Sequence, residues 1–336
     1  MGNIINMRKD ISLDEFIKEV ASQIAILQVD ASDVIHSNLE VVNYNNQVTC
    51  SALRLQREND EAGLLIQIDA MYQEYKKGRE IDDCIQELLE IYMQQENVIS
   101  FRLEEYKEYD KIRNHIKPAL INWSKNRDEL ENIPYAMFGD LAIIFQVQLI
   151  VSQSGDGTVI IDNRQLSIWG IEKDILMQQA MKNLIQDQTI VIENMAEYCD
   201  ISVENIHEMK NYIHEPEIEQ GIYVMTSHCF SYGAVTILNE NLVHDFAEKM
   251  GCSLYIIPSS VHETILLPNE GSLALKDIQN LVTIMNKNKI EPEYILSDNI
   301  YQYDKDNRSY SFADSGLEIN IQDIENVPAY NLANMA

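Results

Sequence analysis

Basic residues are scarce in this sequence. It has 25 Lys and Arg against 54 Asp and Glu over 336 residues, a formal charge of −29. A surface this acidic repels phosphate backbones and anionic headgroups, so binding to DNA, RNA or a membrane surface is disfavoured from the outset. Long hydrophobic runs are missing too. No stretch approaches the ~18 apolar residues of a membrane span, and residues 1–16 lack the apolar run of about 7–15 residues that a secretory signal carries. Gly2 is followed by Asn6 where a myristoylation motif needs Ser or Thr. The five cysteines, Cys50, Cys84, Cys199, Cys229 and Cys252, are widely spaced and form no C-x-x-C pair. That pattern fits a reducing compartment better than a disulfide framework or a zinc ribbon. No glycine-rich phosphate loop, H-E-x-x-H, G-x-S-x-G or EF-hand pattern occurs. The expectation is a cytoplasmic protein with no cofactor, no nucleic-acid partner and no membrane association, its oligomeric state left open.

The apolar content, 46%, is that of a folded chain and excludes wholesale acidic disorder. Ser12 and Glu15 form a capping box, followed by Leu13, Phe16, Ile17, Val20 and Ile24 on one helical face. Two runs of strand character, 38–44 and 47–56, flank an Asn45-Asn46 turn, and 63–69 completes a small antiparallel sheet. Residues 70–77 and 81–95 read as helices, and 104–131 as a charged segment anchored by Leu120, Ile121 and Trp123. A domain boundary is placed at Pro134. Beyond it, 141–151 (LAIIFQVQLIV) is a buried strand that turns at Gly155-Asp156-Gly157 into a second strand, and 172–186 is a helix. The acidic stretch 193–220 reads as an exposed excursion. Strand 222–227, a helical region over 234–250 whose helix 240–250 turns Leu242, Val243, Phe246 and Met250 inward and is stopped by Gly251, strands 253–257 and 263–267, and a helix over 272–287 follow. The fold class expected is α+β, with mainly antiparallel sheets covered by helices in two closely packed parts, 1–134 and 135–312, and a loose tail over 313–336.

Chemistry-bearing residues concentrate at 258–263, PSSVHE, between two core strands. A hydrolase would use Ser259 or Ser260 as nucleophile, His262 as base and Glu263 as its orienter, because a serine hydroxyl needs an adjacent base to lose its proton. Side chains alternate sides in an extended chain, however, so Ser260 and His262 can share a face while His262 and Glu263 cannot. The competing explanation is a turn whose hydroxyls cap backbone groups. His228, Cys229 and His244 are weak candidate metal ligands, since imidazole and thiolate suit zinc but their spacing does not specify it. Asp140 interrupts an apolar run, YAMFGDLAIIF, and fits a Gly139-Asp140 turn, with Arg127 a candidate charge partner.

Seven segments carry a family resemblance: YQEYKKG at 72–78, LLEIY at 88–92, LINWSKNRDELENIP at 120–134, GDLAIIF at 139–145, LSIWGI at 166–171, YGAVTILNENLVHDFAEKMGCSLYIIPSSVHETILLP at 232–268 and ILSDNIYQYD at 295–304. On these the chain resembles a bacterial family known as domain of unknown function 5688. The resemblance implies a bacterial cytoplasmic protein and brings no activity, cofactor or catalytic residue with it. The functional expectation is therefore a non-enzymatic binding or regulatory protein whose acidic surface meets a basic protein partner. The alternatives are a hydrolase-like enzyme built on Ser260, His262 and Glu263, and below it an acidic mimic of DNA that counters host defence.

Overall fold

The computed structural model describes residues 11–27, 35–43, 45–57, 63–66, 68–152, 155–200, 221–227, 232–270 and 274–322. The chain is an α+β protein whose sheets are antiparallel, and it divides into two compact units, Met1–Glu104 and Glu105–Ala336.

The first unit opens with α1 (Leu13–Leu27). Its capping box is formed as expected: Glu15 Oε2 accepts from the Ser12 N–H at 2.8 Å, and Ser12 Oγ accepts from the Glu15 N–H at 3.3 Å. These bonds satisfy donors that the first helical turn leaves open. Phe16, Ile17, Val20 and Ile24 are fully buried at helical spacing. They share a core with Leu53 and Leu55 of a sheet made by β1 (Ile35–Asn43), β2 (Thr49–Arg57) and β3 (Leu64–Ile66) in that order. Asn46, with φ at 62°, makes the turn between β1 and β2, a conformation asparagine tolerates better than most residues. Two helices follow, α2 (Asp69–Lys77) and α3 (Ile81–Tyr106), and Gly78 separates them in a left-handed conformation. The Phe16 ring lies 4.8 Å from that of Tyr75 on α2, which ties α1 to α2.

In chain order, the second unit holds α4 (Tyr109–Ile112), β4 (Ile116–Asn122), α5 (Arg127–Leu130), β5 (Ala136–Phe138), β6 (Leu141–Ser152), β7 (Gly155–Ile160), α6 (Asn163–Trp169) and α7 (Lys173–Ile185). Then come β8 (Ile190–Asn194), α8 (Met195–Asp200), β9 (Tyr223–Ser227), α9 (Glu240–Met250), β10 (Leu254–Ile257), β11 (Thr264–Pro268), α10 (Leu275–Asn288), β12 (Tyr301–Asp304), β13 (Ser309–Phe312), β14 (Glu318–Ile319) and β15 (Ile321–Gln322). A five-stranded sheet runs β15-β5-β6-β4, with β7 added on β6. A seven-stranded sheet runs β14-β13-β12-β10-β11-β9-β8.

Three expectations change. The units divide at Glu104 rather than near 134, because β4 pairs along its whole length with β6, from Ile116↔Val147 to Asn122↔Leu141. Within 104–131 the charged reading hid that strand. Pro118 cannot donate to a ladder, and β4 accordingly ends the sheet order, a place where proline is accepted. The helix expected at 240–250 is α9, and the helical region before it resolves into a 3₁₀ helix, GAVTIL at 233–238, buried throughout, with Asn239 capping α9 by accepting from the Leu242 N–H at 3.4 Å. Six consecutive buried residues leave no solvent face for an amphipathic helix. The tail is not loose over 313–322, because β14 pairs with β13 and β15 with β5, so residues 318–322 join both sheets. Residues 323–336, and 201–220 of the acidic excursion, lie outside the described residues, while 193–200 close β8 and form α8.

Candidate functional site

The 258–263 connection joins β10 to β11 and is held from two sides. From one side come the Leu296 N–H, donating to Ser259 O at 2.9 Å, and the Ser297 N–H, donating to Pro258 O at 3.0 Å; the Val261 N–H donates to Tyr294 O at 2.9 Å. From the other, the Ala234 N–H donates to Val261 O at 3.1 Å and Thr226 Oγ1 donates to His262 O at 2.8 Å. Gly233 sits here for want of space: a Cβ would fall 2.2 Å from His262 O and 2.3 Å from Thr226 Oγ1.

Within this frame Ser259 and Ser260 are each 3% exposed. Ser260 Oγ accepts from the backbone N–H of His262 at 3.1 Å. Burial raises the Glu263 carboxyl above its ordinary range, and the Ser260 hydroxyl opposes part of that rise. Ser260 thus meets the backbone of His262 and not its imidazole, in the side-chain-to-backbone turn that serine commonly makes. The His262 ring lies 4.5 Å from the Tyr294 ring, edge to face, and 6.5 Å from that of Tyr232.

Asp140 is in the β5–β6 turn, after Gly139 at φ +64°, as the sequence implies, but it is only 6% exposed and gathers three donors. Tyr301 OH donates to Oδ1 at 2.6 Å, and Ser297 Oγ and Asn299 Nδ2 donate to Oδ2 at 2.8 and 3.0 Å. Burial pushes this carboxyl above its ordinary range, and the three donors pull the other way. Arg127 is not its partner. The guanidinium lies 3.8 Å over the Trp123 ring, on an exposed helix, while the buried turn faces the 297–301 segment. His244, on α9, has its ring 6.3 Å from Tyr303 and a buried Nδ1 with no hydrogen bond among the described residues. His228 and Cys229 lie outside the described residues, among which no three His, Cys, Asp or Glu side chains converge as a metal site.

A cleft that the sequence did not single out lies where β4, β6 and β7 meet α7, β9 and the 232–236 segment. Ile121 and Ala119 of β4 pair with Ala142 and Ile144 of β6, and the four side chains enter one core with Trp123 and Met137. Side chains repeat every second residue, so the same face continues through Gln146 and Gln148 of β6, whose cross-strand partners are Lys117 and Thr158 respectively. The face therefore changes from apolar to polar while still inside the protein, since Gln146 is 5% exposed. A β-bulge follows at once between Gln148 and Ile150, a feature often found beside functional sites.

Across the cleft, Lys117 Nζ lies 3.3 Å from Asp187 Oδ2. Burial raises the Asp187 carboxyl, but hydrogen bonds from Thr189 and the charge of Lys117 outweigh it and hold the group below its ordinary value. Asn183 donates to the Arg113 and Ile116 carbonyls at 2.8 and 2.7 Å and accepts from Gln179 at 2.8 Å. Tyr232 closes the opposite wall with a left-handed backbone, φ 55°, uncommon for an aromatic residue. Burial, then the neighbouring Tyr294, raises its phenol above the usual range. Tyr232 thereby connects the cleft to the His262 ring. The signal was present in the sequence as Gln146 and Gln148, two amides at period two inside LAIIFQVQLIV. A larger groove of ≈450 Å³ is lined by Lys125, Lys287 and Lys289 together with Glu291 and Asp298, and this mixture of charges favours neither sign of ligand.

A family model of unknown function, DUF5688, matches residues 13–305. The chain belongs to that family. The match spans the cleft, the 258–263 connection and most of both units. No curated protein and no solved structure matches the chain. No helix among the described residues is long and apolar enough to cross a membrane.

Proposed function

We propose that this is a non-enzymatic binding protein of the bacterial cytoplasm, whose acidic surface meets a basic protein partner. The observation that carries the reading is the use made of Ser260. Its hydroxyl accepts from the His262 backbone N–H within the turn, at 3% exposure, which withdraws it from solvent and from any substrate. With the strongest nucleophile candidate committed to a turn, the excess of 54 acidic over 25 basic residues is the property available for recognition. Such recognition acts mainly on association rate and is screened over about 8–10 Å at physiological salt.

Native capture on the full chain, eluted by a salt gradient, tests this. A basic partner released by moderate salt supports the reading, and a partner retained unchanged by high salt counts against it. Labelling of Ser260 by a fluorophosphonate probe, abolished in Ser260→Ala, would establish the hydrolase alternative instead.

A further inference from the structure

The polar cleft contains one group that its own fold leaves unanswered. Gln146 is 5% exposed as a residue, lines the cleft, and makes no side-chain hydrogen bond among the described residues. A leucine at this position would extend the apolar face that Ala119 and Ile144 have begun, whereas the amide turns a polar group toward the cleft. Its neighbours decide what it awaits. The cleft's carboxylate and the Asn183 amide oxygen are already occupied: Asp187 Oδ1 takes the Thr189 N–H and hydroxyl, Oδ2 faces Lys117, and Asn183 Oδ1 takes Gln179. Donors remain, because an ammonium has three N–H groups and only one is directed at Asp187, while hydroxyls of Thr158, Ser227 and Tyr232 line the same walls. The free volume is ≈30 Å³, room for about two water-sized atoms. A donor-rich space of that size matches the two oxygens of a carboxylate better than a phosphate or a ring.

We propose that this cleft binds the carboxylate of a small organic acid, with Lys117 and Gln146 as the recognition residues. Lys117 supplies the charge and Gln146 a directed N–H, the two held side by side as cross-strand partners on β4 and β6. Tyr232 forms the facing wall, and its left-handed backbone is fixed by Gly233, which packs against His262 and Thr226. Strained backbone of this kind persists where its surroundings over-determine it, and it clusters at ligand sites. On this proposal the 258–263 connection acts as the support that positions Tyr232. The site is independent of the partner proposed for the acidic surface and stands or falls without it.

The test is a titration of the isotopically labelled full chain with acetate at constant ionic strength, followed through side-chain amide signals, with Gln146 assigned by Gln146→Met. Acetamide, neutral and of the same shape, is the control. A saturable shift of the Gln146 amide with acetate and none with acetamide is expected. Lys117→Met should weaken the apparent affinity about tenfold or more, as the loss of a charge-assisted hydrogen bond implies. Thr158→Val, which keeps the side-chain shape, is the second variant and should weaken binding by a smaller factor while the fold is retained. A response that does not saturate, that acetamide reproduces, or that Lys117→Met leaves unchanged would overturn the proposal and leave the cleft holding water or an adventitious ion only.

Discussion

Tyr301→Phe removes one of the three side-chain donors that hold the buried Asp140 carboxyl. Tyr301 is fully buried, its hydroxyl donates to Asp140 Oδ1 at 2.6 Å, and no other described side chain donates to that oxygen. A hydrogen bond to a charged group contributes about 1.5–3 kcal/mol, so the variant should lose roughly 2 kcal/mol near neutral pH. For a unit of the size of Glu105–Ala336, each kcal/mol moves the melting midpoint by roughly 2–4 °C, so a drop of about 4–8 °C is expected. Both tryptophans of the sequence, Trp123 and Trp169, lie in this unit, and the Trp123 N–H donates to Asp140 O at 3.2 Å. Tryptophan fluorescence during urea or thermal unfolding therefore reports on the second unit and not on the first.

The pH dependence has a definite sign. Burial raises the folded-state pKa of Asp140 above its unfolded value of 3.8, so the folded state binds the proton more tightly than the unfolded state. Stability contributed by this group is greatest below 3.8 and declines as pH rises through the folded-state pKa, because the carboxylate must then be kept charged in the interior. The Tyr301 hydroxyl opposes that loss by favouring the charged form. The deficit of Tyr301→Phe should accordingly be largest at neutral pH and shrink on acidification, when Asp140 is protonated in both proteins. A deficit below about 0.5 kcal/mol at neutral pH, within the range of an ordinary surface change, would refute the picture of a charged carboxylate held by three donors. A deficit that grows on acidification would refute it equally.

Two other outcomes follow from the packing around the 258–263 connection. Gly233→Ala places a Cβ within 2.2–2.3 Å of His262 O and Thr226 Oγ1 and should cost about 3 kcal/mol or prevent soluble expression, whereas an unchanged melting curve would show that the 232–236 segment is not clamped. Asn239→Ala removes the α9 cap and should lower stability by about 0.5–2 kcal/mol in denaturant titration, with Asn239→Ser restoring most of it and no restoration counting against the cap.

Local chemistry was legible in the sequence wherever one short signal controlled one element. Ser12 and Glu15 start α1, Asn46 turns β1 into β2, Gly251 stops α9, and strands 141–151, 222–227, 253–257 and 263–267 recur within a residue or two. What escaped was set by pairing at a distance. β4 shows no strand signal of its own, since Lys117 and Pro118 interrupt it, and it becomes a strand because β6 offers a ladder. The last strands, β14 and β15, are two residues each and exist only against β13 and β5. The partners of Asp140 likewise stand more than 150 positions away in the chain, so a nearby arginine was the available guess.

The same distinction separates the two places where chemistry was sought. PSSVHE drew attention because hydroxyl, imidazole and carboxylate lie together in sequence, yet proximity along the chain supplied neighbours for turn formation, and Ser260 took its backbone neighbour. The polar cleft draws Lys117, Gln146, Thr158, Asp187 and Tyr232 from separate elements, so no window of sequence contains it. Lys117 and Gln146 line the cleft side by side as cross-strand partners, which places a charge and an amide where a ligand can reach both. The overall charge of −29 points the same way, because in a chain with so many acids a lysine facing a buried, donor-rich pocket is where an anion can still be received.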